Sequence, residues 1–284
     1  MSEKLLNQYE EEKNYDEVIK LIDEMILKDP QKASSLLLRK AEALVSLKKY
    51  NQAITTLEIF VEDCSKKDKI KAYILTASCY MHMDDDEKAV EYFEKTLEID
   101  PENEMILKQL SYMAYVNHDH EKCYYLIKIL IKNDKADIED YTNLIFCCIQ
   151  LDMVDEALDY AEKLIELDPT NLDVFATLTI LYEELDDEKK LKEVCERIIN
   201  LKDDGTLQII LLKAQASLEL GKKEEAFEFA DKAIKLYPYD PFPYMMKGLL
   251  YNKLDMFEQA DECLNEAIHL NPEILTHLEQ LKDE

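Results

Sequence analysis

AVEYFEKTLEIDP (89–101), ALDYAEKLIELDP (157–169), AFEFADKAIKLYP (226–238) and ADECLNEAIHLNP (260–272) follow one template. Each opens on alanine, carries an apolar or small residue four positions on and another at or near seven on, and closes on proline. That spacing lines the residues along one stripe of an α-helix. The proline ends the helix, because it has no N–H to donate and disfavours helix in the residue before it. Pro238 and Pro272 are 34 residues apart, Pro101 and Pro169 are 68 apart, and Pro169 and Pro238 are 69 apart. A fixed period of this length marks a small supersecondary unit, repeated along the chain.

With the proline as the thirty-second residue, eight units cover nearly all 284 residues: 1–32, 34–67, 70–103, 104–137, 138–171, 172–205, 207–240 and 241–274. Small residues recur where a second helix must approach a first: Ala53, Ala89, Cys123, Ala157, Ala226 and Ala260, with Leu191 as the exception. Large residues recur in the first helices, as Leu37, Tyr73, Leu107, Tyr141, Phe175, Ile210 and Tyr244. Seven or eight matches in register resemble the tetratricopeptide repeat, a helix-turn-helix unit. The resemblance implies an all-α fold, a right-handed superhelical α-solenoid forming one array, with residues 275–284 as a short capping helix. Ile145 stands where the family prefers a small residue, so units four and five are expected to pack less regularly. Units two, four and six lack the closing proline.

Composition points the same way. Three glycines and seven prolines are too few for the frequent tight turns of a sandwich or barrel. The charge is −28, and it is uneven: residues 1–137 carry 20 basic and 28 acidic side chains, residues 138–284 carry 14 and 34. Such a surface repels phosphate backbones and anionic lipid. Direct nucleic-acid binding is therefore not expected, and a charge-steered partner would be basic. The seven cysteines are odd in number and scattered through apolar patterns, which suits core packing in a reducing compartment. MSEKLLNQYEEEK (1–13) has no apolar core of a signal peptide, and no later run is long enough to span a membrane. A cytoplasmic protein without membrane insertion is expected. Residues 1–30 read as repeat, so a DNA-binding module ahead of it is not expected.

Catalytic templates find little support. Glycines only at 205, 221 and 248 allow no phosphate-binding loop. His118, Asp119, His120 and Cys123 are the densest metal-like group, but they fall on a turn and a packing position. Asp84, Asp85, Asp86 and Glu87 lack the spacing and glycine of a calcium loop and suit a helix start. Cys147 and Cys148 face different ways on one helix. No enzyme activity, metal or cofactor is expected.

The resemblance instead implies a groove lined by the second, fifth, ninth and twelfth residues of each unit. Read there, the N-terminal part is acidic (Glu3, Glu10, Glu42). The centre is apolar: Ile74, Met81, Met105, Tyr112, Tyr115, Phe146, Ile149 and Ile180. The C-terminal part offers Leu211, Phe242, Met245 and Leu249, with Asp173 and Glu183 between. Packing against neighbouring helices is an equally open reading of these positions. The lysine, arginine and asparagine set by which some family members clamp acidic chaperone tails is missing, since Lys108 is the one lysine at a fifth position. The function implied is a non-catalytic scaffold or adaptor that holds a peptide or helical segment, apolar-anchored with basic flanks. A structural subunit or homo-oligomer, docking through repeat edges such as the C-terminal one, is the alternative.

Overall fold

A computed structural model describes residues 2–273. The described residues form sixteen α-helices and no strand: α1 (Ser2–Glu11), α2 (Tyr15–Lys28), α3 (Ala33–Ser46), α4 (Tyr50–Phe60), α5 (Lys66–Met81), α6 (Asp86–Ile99), α7 (Glu104–Val116), α8 (His120–Lys132), α9 (Ile138–Gln150), α10 (Val154–Leu167), α11 (Leu172–Glu184), α12 (Glu188–Asn200), α13 (Leu207–Glu219), α14 (Lys223–Leu236), α15 (Pro241–Asn252) and α16 (Phe257–Leu270). None is long and apolar enough to cross a membrane. The expected capping helix at 275–284 lies outside the described residues.

The chain divides after Asp140, inside α9, into two compact units. In the first, consecutive helices pack together from α1 to α8, and α3 also touches α5. In the second, consecutive helices pack from α10 to α16, while α11 touches α13 and α13 touches α15. Each unit is thus a run of helical hairpins in which first helices lie against first helices. No hairpin buries its apolar stripe alone, so stability comes from the neighbours.

The repeated small residues make close packing possible. Ala53, Ala89, Cys123, Ala157 and Ala226 are fully buried, and Ala260 nearly so. The bulkier Leu191 is buried at the same place. At the eighth position of each repeat, Ala41, Ala77, Ser111, Ile145, Thr179 and Ala214 are also buried. Gly248 completes that series at the tightest approach. A Cβ built on it would meet Leu264 Cγ at 2.9 Å and the Ala260 carbonyl oxygen at 3.3 Å.

The turns repeat as faithfully as the helices. Lys13, Lys48, Asp84, His118, Asp152, Asp186, Gly221 and Asp255 each join a first helix to a second, and all have positive φ between 54° and 74°. Glycine fills this left-handed place once; aspartate, the side chain best able to stand in for it, fills it four times. The next residue but one starts the second helix, and Asp85, Asp119 and Asp187 cap that start by accepting from the amides of Lys88, Lys122 and Lys190. At the far end the residue before each closing proline is extended, as the proline ring requires. Asp29, Asp100, Asp168, Tyr237 and Asn271 have φ from −129° to −144° and ψ from 61° to 101°.

The three repeats without proline end differently. After α4 a 3-10 turn leads to Ser65, which caps α5 by accepting from the Asp68 amide. After α8 the left-handed residue Asp134 breaks the helix. After α12 the buried Lys213 donates from Nζ to the carbonyls of Ile199 and Leu201, at 2.9 and 2.6 Å.

Candidate protein-interaction surface

In the first unit the inner positions fall on α1, α3, α5 and α7. Met105 and Tyr112 on α7 are more than half exposed, at 56 % and 54 %. Tyr115 is half-buried. Ile74 and Met81 on α5 are half-buried too, and both pack on the core around Ala77, Phe93 and Leu107. Ile74 and Met81 thus touch the core, while Met105 and Tyr112 lie at the surface of α7.

The acidic N-terminal part is not bare. Arg39 on α3 grips Glu10 with two hydrogen bonds, Nε to Oε1 at 2.7 Å and Nη2 to Oε2 at 2.6 Å. It also donates to Glu3 Oε1 at 2.5 Å and Asn7 Oδ1 at 2.7 Å. The paired fork geometry is specific to arginine. These bonds, Glu10's foremost, raise the guanidinium pKa against the opposing effect of burial. Glu42, one turn along α3, is pushed above the usual carboxylate range by burial and then by Glu10. Lys108 is occupied as well: it pairs with Asp137 and with the buried Asp140, which exchange backbone-to-side-chain hydrogen bonds with each other. The one fifth-position lysine is consumed in joining α7 to the start of α9.

In the second unit Ile180 on α11 is exposed at 52 % and Phe146 on α9 at 37 %, while Ile149 is half-buried. Polar contacts link successive first helices. Gln208 Nε2 donates to Asp173 Oδ1 at 2.6 Å. Lys253, just past α15, donates to Glu219 and to Glu183, each at 2.8 Å, and so ties three repeats together. Burial alone would lower its pKa, but the two carboxylates outweigh that and raise it. Between α13 and α15 lies a cavity of about 230 Å3, lined by Leu218, Met246, Leu249 and Leu250 with Gln215 and Asn252. A more polar crevice of about 370 Å3, lined by Tyr182, Glu183, Asp186, Glu188 and Lys192, shares Glu219 with it. Sequence reading picked out Leu249 and Glu183 but missed Lys253, Glu219 and the cavity. The available signal was a lysine at the thirteenth place of the last repeat, with an acid at the thirteenth place one repeat earlier and at the twelfth two repeats earlier.

Several of the groups that could suggest chemistry occupy turn, cap or packing positions. Asp84 and His118 are left-handed turn residues, and Asp85 and Asp119 are helix caps. Cys123 is fully buried at the interhelical packing position, and the His118 and His120 rings meet edge to face. Among the described residues, no three His, Cys, Asp or Glu side chains are placed to share a metal ion. Burial pushes the Cys79 thiol up to about 11 and the Cys195 thiol, beside Glu219 and Glu183, up to about 12. Such thiols stay protonated and poorly nucleophilic at neutral pH. His82 stacks on Tyr50, with ring centres 5.2 Å apart.

Helical hairpins, a left-handed residue in each hairpin turn and small residues at most of the interhelical contacts define an α-helical repeat protein. Sequence models of the tetratricopeptide repeat match residues 35–66, 70–103, 207–240 and 243–274. The chain carries tetratricopeptide repeats at these four places. Solved structures similar to it include YrrB, described as a TPR protein with an unusual peptide-binding site, at 19 % identity over 68 % of this chain and 99 % of that one (TM-score 0.48). MamA from Desulfovibrio magneticus RS-1 is similar at 16 % identity over 60 % and 96 % (TM-score 0.48). TTC0263, a thermophilic TPR protein of Thermus thermophilus, is similar at 17 % identity over 61 % and 94 % (TM-score 0.46).

Proposed function

We propose that this protein is a non-catalytic scaffold that holds a peptide or helical segment of a partner against the inner positions of its first helices. Tetratricopeptide repeats serve in general as protein-interaction scaffolds, and that is the family's contribution to the reading. The observation that carries the finer claim is the exposure of large apolar or aromatic residues at inner positions of each unit, Met105 and Tyr112 in the first and Phe146 and Ile180 in the second. Tyrosine, methionine and phenylalanine give large contact area and adapt to the shape of a bound side chain. The excess of 62 acidic over 34 basic side chains favours a partner with basic flanks, with charge acting mainly on association rate and selectivity.

Pull-down from native lysate, followed by mass spectrometry, compares wild type with a Tyr112→Glu, Phe146→Glu double variant. Both side chains are exposed, so circular dichroism should show an unchanged fold. Loss of a specific partner from the variant supports the inner surface; retention of every partner removes it and leaves the repeat edges or outer helices. Raised salt should slow association of that partner more than it speeds release.

A further inference from the structure

The cavity between α13 and α15 is small and mostly apolar, and the paired Glu219 and Lys253 lie at its edge. Its apolar walls are Leu218, Met246, Leu249 and Leu250, completed by Gln215 and Asn252. At about 230 Å3 it falls short of the roughly 300–1,000 Å3 typical of small-molecule sites. It exceeds the ~150 Å3 that accepts a benzene ring. One leucine, methionine or phenylalanine side chain is the occupant of matching size. Leu249 is 46 % exposed, so the cavity opens to the surface.

Charge decides what flanks that side chain. Glu219 lines both this cavity and the neighbouring crevice, whose other walls include Glu183, Asp186 and Glu188. The nearby cations are already engaged: Lys253 with Glu183 and Glu219, and Lys192 with Glu188 at 3.0 Å. Residues 138–284 as a whole carry 34 acidic against 14 basic side chains. A basic group next to the apolar anchor would meet carboxylates in excess, while an acidic one would be repelled.

We infer that the α13–α15 cavity is an anchor pocket for a basic amphipathic segment, taking one large apolar side chain of the partner while a lysine or arginine within about one helical turn engages Glu183, Asp186 and Glu219. The inference rests on the scaffold reading and adds a site outside the central apolar set, with a defined partner chemistry.

The test uses the full chain and a displayed library of random dodecapeptides, with the enriched sequences resynthesised as fluorescent probes for anisotropy. Enriched peptides should pair a large apolar residue with a neighbouring lysine or arginine. Leu249→Glu should weaken such a probe by ~30-fold, the scale of an interface hot spot. Leu27→Glu, 85 % exposed on α2 of the first unit, should leave it unchanged. Should Leu249→Glu perturb the fold by circular dichroism, Asn252→Trp closes the cavity from an exposed position and should weaken the probe likewise. Enrichment of acidic or uncharged peptides overturns the inference, as does binding indifferent to both variants. If binding is lost with Tyr112→Glu or Phe146→Glu but not with Leu249→Glu, the pocket falls and the scaffold reading stands. If no peptide is enriched, both fall.

Discussion

The connections that follow α10 and α12 carry the chain between repeats in the same compact unit, by different means. After α10 the work is local. Pro169 forces Asp168 into an extended conformation, and Asp168 Oδ1 accepts from the Thr170 amide and hydroxyl two residues on. After α12 there is no proline, and the connection is assembled from distant parts. Lys213, on the next helix, caps Ile199 and Leu201 from within the core and lies 5.9 Å from the centre of the Phe229 ring. Lys232 pairs with Asp203, and Tyr237 Oη donates to the Gly205 carbonyl at 2.9 Å. A local signal can be replaced by tertiary contacts, but the replacement concentrates stability in a few side chains that serve no other repeat.

Lys213→Met tests that contrast most sharply. Methionine keeps most of the apolar stem and removes the ammonium, leaving two carbonyls at a buried helix end without their donor. Charged hydrogen bonds are worth about 1.5–3 kcal/mol, so a loss of about 2–3 kcal/mol is expected in urea unfolding. Next in size is Gly205→Ala. Its φ of +84° suits glycine, and nothing lies within 4 Å of the place a Cβ would take, so backbone strain alone should cost about 1 kcal/mol. Pro169→Ala should cost less, about 0.4–1 kcal/mol, mainly through the freer unfolded chain. Equal losses for Lys213→Met and Pro169→Ala would show that the two connections are built alike after all.

These residues also explain what could be read in advance. Proline and alanine act on their own backbone or on a neighbour at fixed spacing, so Pro169 and Ala157 announce the repeat in the sequence. Lys213 sits in IILLKAQA (209–216), where nothing marks it as a buried cap, because its acceptors lie 12 and 14 residues back. The left-handed turn residues escaped notice for another reason. Aspartate, lysine, histidine and glycine share that place, so the backbone repeats while the side chain does not. The candidate surface was legible to the same degree. Helical position told which side chains lie along the first helices, but only packing separates Tyr112, which is exposed, from Ile74, which rests on the core. The cavity beside Leu249 required two helices at once.

The smallest expected effect separates the connections by pH. Asp203 is held below the usual carboxylate range, first by its hydrogen bond from Lys232, with burial opposing and the Gly205 amide adding to it. Asp204 is lowered by the Thr206 amide and hydroxyl. A carboxylate whose folded pKa is depressed lends stability above its unfolded value, near 3.9, and that contribution is lost as pH falls through the folded value. The connection after α12 should therefore loosen in acid before global unfolding. Amide resonances of Gly205 and Thr206, followed by NMR, should titrate with midpoints below 3.9. Asp203→Asn should abolish the Gly205 transition and leave that of Thr206, whose acceptor is Asp204. A Gly205 midpoint at or above the free value would mean that the Lys232 pair does not hold this connection, and Lys213 would then carry it alone.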